Sequence, residues 1–431
     1  METKTREIYK DSFVEYLLCL ALDVGEGMLK NGGEVARVED TIERICRAYG
    51  AVHVEVFTII SMINAAIRMP DGSYSSQLRR VKQTSNNLST LENLNALSRE
   101  ICKTTPSLDD FDAKLHELKA KKAYPVWLYT LASAVGAGAF CLFFGGDMLD
   151  AVVTFGIGVL ISLVSTYSSH RLNLMAKTVV SSFLAAGLAG LLYMWIPTLD
   201  VDAVIIGAIM LLVPGLLFGN AMRDLLCGDL IAGTLKILQA MLQTLMIGFG
   251  YMLAYAIIGE YMISSEQGTD ADLFLIQTVT AVVTSVAFAV VFKTNKRHLA
   301  MAAVCGILTF ATYYAVTVIG ASYGSVEAPS TLFWAAFISS AVAALFSEAN
   351  ARIRRAPAIV VLMPGVISIV PGGYLYRGAR DFIRGTSAQG LGWLGGAAAI
   401  ALGMAGGIVF ISILNGVIID ALAKRKKKKS K

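Results

Sequence analysis

From Val126 onward the chain is a succession of long uncharged apolar runs, at 126–144, 151–169, 178–199, 203–222, 237–259, 273–292, 299–323, 328–347, 356–376 and 385–419. A helix needs about 20 apolar residues to cross a hydrocarbon core of roughly 30 Å. The pattern therefore predicts about ten transmembrane helices. The last run is long enough for two. Splitting it would put Lys424–Lys429 on the side opposite the N-terminus, so it reads as one span with a Gly-rich, irregular start.

Before these runs the pattern changes to short amphipathic segments. Phe13, Leu17, Leu20, Val24 and Met28 recur near the 3.6-residue period of a helix over 12–30. Asn31-Gly32-Gly33 breaks it. Val35, Val38, Ile42, Ile45 and Tyr49 form the face of a second helix, with Gly50 at its end. Residues 51–59 alternate as a strand should, and Ile63–Met69 either pairs with them or leads into the Pro70-Asp71-Gly72 turn. Helices near 86–103 and 107–122 complete an α+β unit over residues 1–124.

Charge in the connecting loops supplies orientation through the positive-inside rule. With residues 1–125 inside, the outer loops carry Asp147 and Asp150, then Asp200 and Asp202, then Glu260, Glu266, Asp270 and Asp272, then Glu327. The inner loops carry Arg171 and Lys177, then Lys293, Lys296 and Arg297, then Arg352, Arg354 and Arg355. One outer loop breaks the rule, with Arg377, Arg380 and Arg384 against Asp381.

An internal repeat accounts for the exception. At a constant offset of 157, residues 214–233 align with 371–390 as PG-x7-RD-x3-G-x4-G, matching Pro214/Pro371, Gly215/Gly372, Arg223/Arg380, Asp224/Asp381, Gly228/Gly385 and Gly233/Gly390. Each copy lies between the fourth and fifth spans of its half. The membrane part thus divides into five-helix units over 125–260 and 271–423, followed by a basic tail at 424–431. An odd number of passes orients the two units oppositely, a build common in secondary transporters. The outer arginines are then the image of inner ones.

The motif carries suitable chemistry. Pro lacks an amide hydrogen and Gly is permissive, so Pro-Gly interrupts a helix and frees backbone groups to face a cavity. Arg223 and Arg380 can grip a carboxylate bidentately. Asp224, Asp229 and Asp381 are candidates for a proton or an ammonium group, and Lys236 lies within reach of Asp229. Asn220 and Tyr376 join this binding set; Asn220, Gln239, Gln243 and Asn415 can line a path, though hydrogen-bonded helix packing suits each of them better. The plainer alternative makes each Arg-Asp an interfacial anchor, but anchors need no fixed spacing to Pro-Gly. Pro364-Gly365 adds a second break to the ninth span.

Composition agrees with a membrane protein: of 431 residues 55% are hydrophobic and 16% charged, with mean hydropathy +0.61. A soluble domain carries about a quarter charged residues. Residues 1–12 are polar with no signal-peptide core, so the N-terminal unit is expected in the cytoplasm. The net charge of +5 comes largely from the C-terminal lysines, which abut an apolar helix and suit a membrane surface rather than nucleic acid. Six cysteines without CxxC spacing and four scattered histidines predict no metal site. No cofactor motif is present. Glu34, Arg37, Glu39, Asp40 and Glu43 crowd one helix, with His53 and Glu55 on the strand; solvated charges or a gating role explain them without a catalytic elbow.

The stretch 31–50, NGGEVARVEDTIERICRAYG, resembles the N-terminal signature of the threonine/serine exporter family. Residues 211–236 and 361–381 resemble its two membrane motifs, and the likeness extends over essentially the whole chain. The family also has split members, one with the soluble domain and one without, associated with dicarboxylate export. The resemblance implies efflux of small polar metabolites, foremost L-threonine and L-serine, driven by the proton motive force, from a multi-pass plasma-membrane protein with both termini cytoplasmic. Gly33, Glu34, Arg37 and Glu39 correspond to its soluble-domain signature, with no catalytic role implied. Expected partners are the substrate, protons and lipid; a homo-oligomer stays open. Two other classes stand beside it: a membrane-anchored enzyme with its chemistry in residues 1–122, and a channel. No nucleotide-binding motif supports an ATP-driven pump.

Overall fold

The computed structural model describes residues 12–82, 85–120, 124–168, 172–259, 273–322, 325 and 328–429. The expected loop charges Arg171, Glu260, Glu266, Asp270, Asp272 and Glu327 lie outside the described residues.

The N-terminal unit is built on helix α1 (Phe13–Lys30), whose middle is buried on every side, as its high apolar content requires. It packs on α2 (Val35–Ala48) and on a three-stranded antiparallel sheet, β1 (His53–Ile59), β2 (Met62–Arg68) and β3 (Tyr74–Arg80), in that order. The 63–69 segment therefore pairs with β1, in register His53↔Arg68 to Ile59↔Met62. Strand β3 was not legible as one: it reads Tyr-Ser-Ser-Gln-Leu-Arg-Arg, and Ser75 is its sole buried residue. Helices α3 (Leu88–Thr104) and α4 (Leu108–Ala120) close the unit. Phe13, placed by its spacing on the core face, is 51% exposed at the start of α1.

The membrane part follows as α5 (Val126–Phe143), α6 (Met148–Tyr167), α7 (Leu174–Tyr193), α8 (Val201–Ile209), α9 (Gly215–Cys227), α10 (Leu230–Ile258), α11 (Leu273–Val291), α12 (Leu299–Ala321), α13 (Pro329–Arg354), α14 (Ile359–Gly365), α15 (Gly372–Ile383) and α16 (Ser387–Lys429). Among the described residues eight helices are long and apolar enough to cross a membrane, and the α14–α15 segment, bent by 44°, makes a ninth. The fourth expected span is the pair α8 and α9, parted at Met210–Pro214, so neither piece is long enough alone. The last run is a single helix without an irregular start, continuing to Lys429. Outward-facing Leu238, Met241, Leu245 and Phe249 on α10 are exposed, a stripe that lipid would cover.

Helix pairings repeat between the halves. In the first half α5 packs on α6, α7 on α10 and α9 on α10; in the second α11 packs on α12, α13 on α16 and α15 on α16. The halves meet through α5 against α11, and reciprocally through α9 against α16 and α10 against α15. At the centre the two breaks touch. A side chain at Gly215 would meet Val370 and Ile367, and one at Gly372 would meet Met210 and Val213.

Candidate functional site

Both copies of the motif fold alike. Pro214 and Pro371 precede their helices with φ −77° and −75°. The next amide turns back, Gly215 to the Val213 carbonyl at 2.8 Å and Gly372 to that of Val370 at 2.7 Å. Each half-helix ends at a glycine in the left-handed region, Gly228 at φ 98° and Gly385 at φ 86°, which a side chain would oppose. Amides of Asp229 and Thr386 then bond the carbonyls of Asp224 and Asp381, each at 2.9 Å. A Cβ on Gly233 would strike Leu225, and one on Gly390 would strike Phe382, its counterpart. The Gly matches thus mark a tight crossing between each Arg-Asp half-helix and the span after it.

The first copy is joined by the N-terminal unit. The Gly32-Gly33 turn projects Glu34 at the head of α2, and Gly33 has no room for a side chain beside the Met28 carbonyl. The Glu34 carboxylate forms an ion pair with Arg223 at 2.8 Å, and Arg37 approaches it to 3.8 Å. Burial alone would raise the Glu34 carboxyl, but Arg223, Arg37 and Lys236 together hold it below its ordinary range. Asp224 accepts from the Val35 amide at 3.4 Å, placing a carboxylate at the positive end of α2. Asn220 donates to the Gly32 carbonyl at 3.1 Å, and Arg223 also donates to Ser412 of α16 at 3.3 Å. The buried Lys236 ammonium pairs with Asp224. The expected Lys236–Asp229 pair is thereby corrected: Asp229 sits at the head of α10 itself, while Asp224 lies across from the turn that carries Lys236.

The second copy has another set of partners. Arg380 pairs with Asp202 at 2.5 Å and with Asp381 at 2.9 Å, and the Tyr376 hydroxyl donates to Asp202 at 3.0 Å. Trp393 donates its indole N–H to Asp381 at 3.0 Å. Trp393 and Lys236 are the same position in the repeat, 157 residues apart, each reaching the aspartate 12 residues before it. Sequence reasoning missed the roles of Asp202 and Trp393. Asp202 passed for an outer-loop charge, and Trp393 became legible only by extending the repeat beyond its glycines.

Glu39 bonds to neither group, although the charges of Asp229 and Asp224 reach it. Its carboxylate accepts from the Thr58 amide at 2.7 Å, and burial raises its pKa against that bond. Asp229 makes no side-chain cap. His53 and Glu55 meet each other at 3.1 Å on the exposed face of β1. Arg352 donates to Asn415 at 2.9 Å, a helix-packing bond. Among the described residues no group of His, Cys, Asp and Glu is arranged to hold a metal ion.

A cavity of about 580 Å³ lies between the N-terminal unit, the first half and the end of α11 at Phe288–Lys293. Gly32 and Gly33 line it on one side, and Pro214, Gly215, Asn220, Lys236, Gln239 and Gln243 on the other. Its size is that of a small-molecule site. Gln243 donates to the Leu212 carbonyl at 2.8 Å, satisfying a group freed by the break.

Paired broken helices within a polytopic helical bundle define a multi-pass membrane protein of transporter build. The chain belongs to the threonine/serine exporter family: the family described as "Putative threonine/serine exporter" matches residues 19–258, and "Threonine/Serine exporter, ThrE" matches 277–414. The "Probable threonine/serine exporter" of Mycobacterium tuberculosis is 26% identical over 93% of this chain and 76% of its own. The "Probable succinate transporter subunit YjjP" of Klebsiella aerogenes is 25% identical over 54% of this chain and 90% of its own. The "Pheromone-regulated membrane protein 10" of Pichia sorbitophila is 28% identical over 40% of this chain, which spans 18% of that longer protein. No solved structure matches.

Proposed function

We propose that this chain is a secondary exporter of a small polar metabolite, L-threonine or L-serine in the first place, driven by the proton motive force. The reading rests on one observation: each repeat presents an arginine already gripping a carboxylate, Glu34 at Arg223 and Asp202 at Arg380. A substrate carboxylate can exchange with either. The two ion pairs then act as latches at the two ends of a path that runs past the touching breaks. With residues 1–124 in the cytoplasm, the Arg223 latch is the inner one and the Arg380 latch the outer. Alternating access breaks one while the other holds. Asp224 serves as the proton carrier: protonation dissolves its pair with Lys236 and its hold on the Val35 amide, loosening the inner latch. Tyr376 supports the outer latch through Asp202, while Pro214, Gly215, Pro371 and Gly372 supply the freed backbone.

Proteoliposomes loaded with labelled threonine and given an inwardly directed proton gradient test this. Efflux should accelerate with the gradient, collapse with a protonophore, and be lost in Asp224→Asn. Efflux indifferent to the gradient removes proton coupling. The relative named "Probable succinate transporter subunit YjjP" favours a second reading, in which the cargo is a dicarboxylate. Loading with labelled succinate separates the two.

A further inference from the structure

Away from the latches, a cleft of about 700 Å³ separates α2 from α3 where the N-terminal unit meets the α13–α14 loop at Ala356. Arg37 and Arg44 stand along its α2 wall, and Arg99 and Lys103, one helical turn apart, along its α3 wall. Asp40 is the one acidic residue of the lining, and it is bound to Arg44 at 2.7 Å. Two basic rows facing each other across a cleft repel, so the arrangement is costly while the space between them holds only water.

Ordinary uses of surface cations do not account for it. Lys103 suits the last turn of α3, where the helix dipole favours a cation. Arg37 occupies the first turn of α2, where the dipole disfavours one. Its Nε is buried with no hydrogen-bond acceptor, and its approach to Glu34 is a loose 3.8 Å. Arg99 spends one N–H on the Arg355 carbonyl at 2.6 Å, which draws a further cation to the cleft edge. Burial, then the charges of Arg355 and Arg37, hold the Arg99 guanidinium below its ordinary pKa. Asp40 neutralises Arg44, and Glu34 and Glu92 offset part of the charge on Arg37 and Arg99, but the four cations of the lining still face a single acid within it.

We infer that this cleft is a binding site for a phosphate-bearing anion, either a free phosphorylated metabolite or the headgroup of an acidic lipid. Phosphate oxygens accept several N–H bonds at once, which matches the guanidinium groups of Arg37, Arg44 and Arg99 and the Lys103 ammonium on the two walls. Ligand there would bridge α2, α3 and the α13–α14 loop, tying the N-terminal unit to the membrane part.

The test uses full-length protein in phosphatidylcholine nanodiscs, titrated with inorganic pyrophosphate and melted with and without it. The comparison is the double variant Arg99→Gln/Lys103→Gln, whose two side chains are exposed. Pyrophosphate should bind the wild type, weaken with added salt, and bind the double variant about tenfold less tightly. That outcome identifies a free-anion site. If replacing about a third of the lipid by phosphatidylglycerol abolishes pyrophosphate binding and raises the wild-type melting temperature alone, the lipid headgroup is the occupant. Equal behaviour of wild type and variant toward both probes overturns the site. Lys103→Gln alone is the fallback should the double variant fail to fold.

Discussion

At the scale of single residues, the candidate site is held by ion pairs that join distant parts of the chain. Arg223 and Glu34 are 189 positions apart, and Arg380 and Asp202 are 178 apart. Sequence reading found both arginines by their spacing to Pro-Gly, but not their partners, because pairing across a fold leaves no local pattern. On the exporter reading, Arg223→Ala and Arg380→Ala each lower threonine efflux about tenfold to a hundredfold, the scale of a lost charge-assisted contact. Arg223→Lys keeps the charge without the fork and recovers part of it. Glu34→Gln has the opposite sign: with no competing carboxylate, half-maximal efflux is reached at about tenfold lower internal threonine. An unchanged or higher half-saturation in that variant rules out competition at Arg223. Glu92 on α3 gives a pH test. Burial would raise its carboxyl, but His298, Arg297 and Asn295 bind it and bring its pKa down to about 2. A lowered folded-state value means the stabilisation is complete above the ordinary value near 4.5 and vanishes as pH falls through about 2. Thermal melts between pH 5 and 3 should therefore fall in the wild type and fall less in Glu92→Gln.

At the scale of elements, the long spans were legible because one property, sustained apolarity, decides them. The breaks were legible because Pro-Gly is chemically loud. In the fourth span Pro214-Gly215 marks the break, but not its extent back to Met210, since hydropathy does not register a gap filled by Met210, Leu211, Leu212 and Val213. Strand β3 escaped for the reverse reason, being an edge strand with polar residues on both faces. The crossing of each half-helix with its following span makes a direct prediction. At Gly233 an added methyl would lie 2.6 Å from Leu225 Cγ and 2.9 Å from the Ala221 carbonyl; at Gly390 it would lie 2.9 Å from Phe382 and 3.1 Å from the Gly378 carbonyl. Gly233→Ala and Gly390→Ala should each destabilise by about 1–3 kcal/mol in detergent melts. Gly392→Ala, with open space around it, should not. Equal melting of all three would remove the close-packing argument.

For the whole molecule, the reciprocal helix contacts tie the two halves together as related units, and the repeat in the sequence foreshadowed them. The proposed orientation can be read by labelling in a background stripped of native cysteines. Ser387→Cys at the head of α16 should react with an impermeant maleimide in intact cells, and Lys296→Cys only after permeabilisation. Both labelling from the same side would discard the inverted arrangement. The halves are nevertheless not interchangeable. One arginine is held by Asp202, part of the membrane bundle; the other is held by Glu34, which rides on a domain docked through separate contacts such as Glu92 with Arg297 and His298. On the exporter reading, one mouth opens by a local shift of helices, whereas the other waits for an entire domain to lift. An exporter built this way would have a fast door and a slow door, and its turnover should respond to solvent viscosity and to domain tethering on the slow side alone.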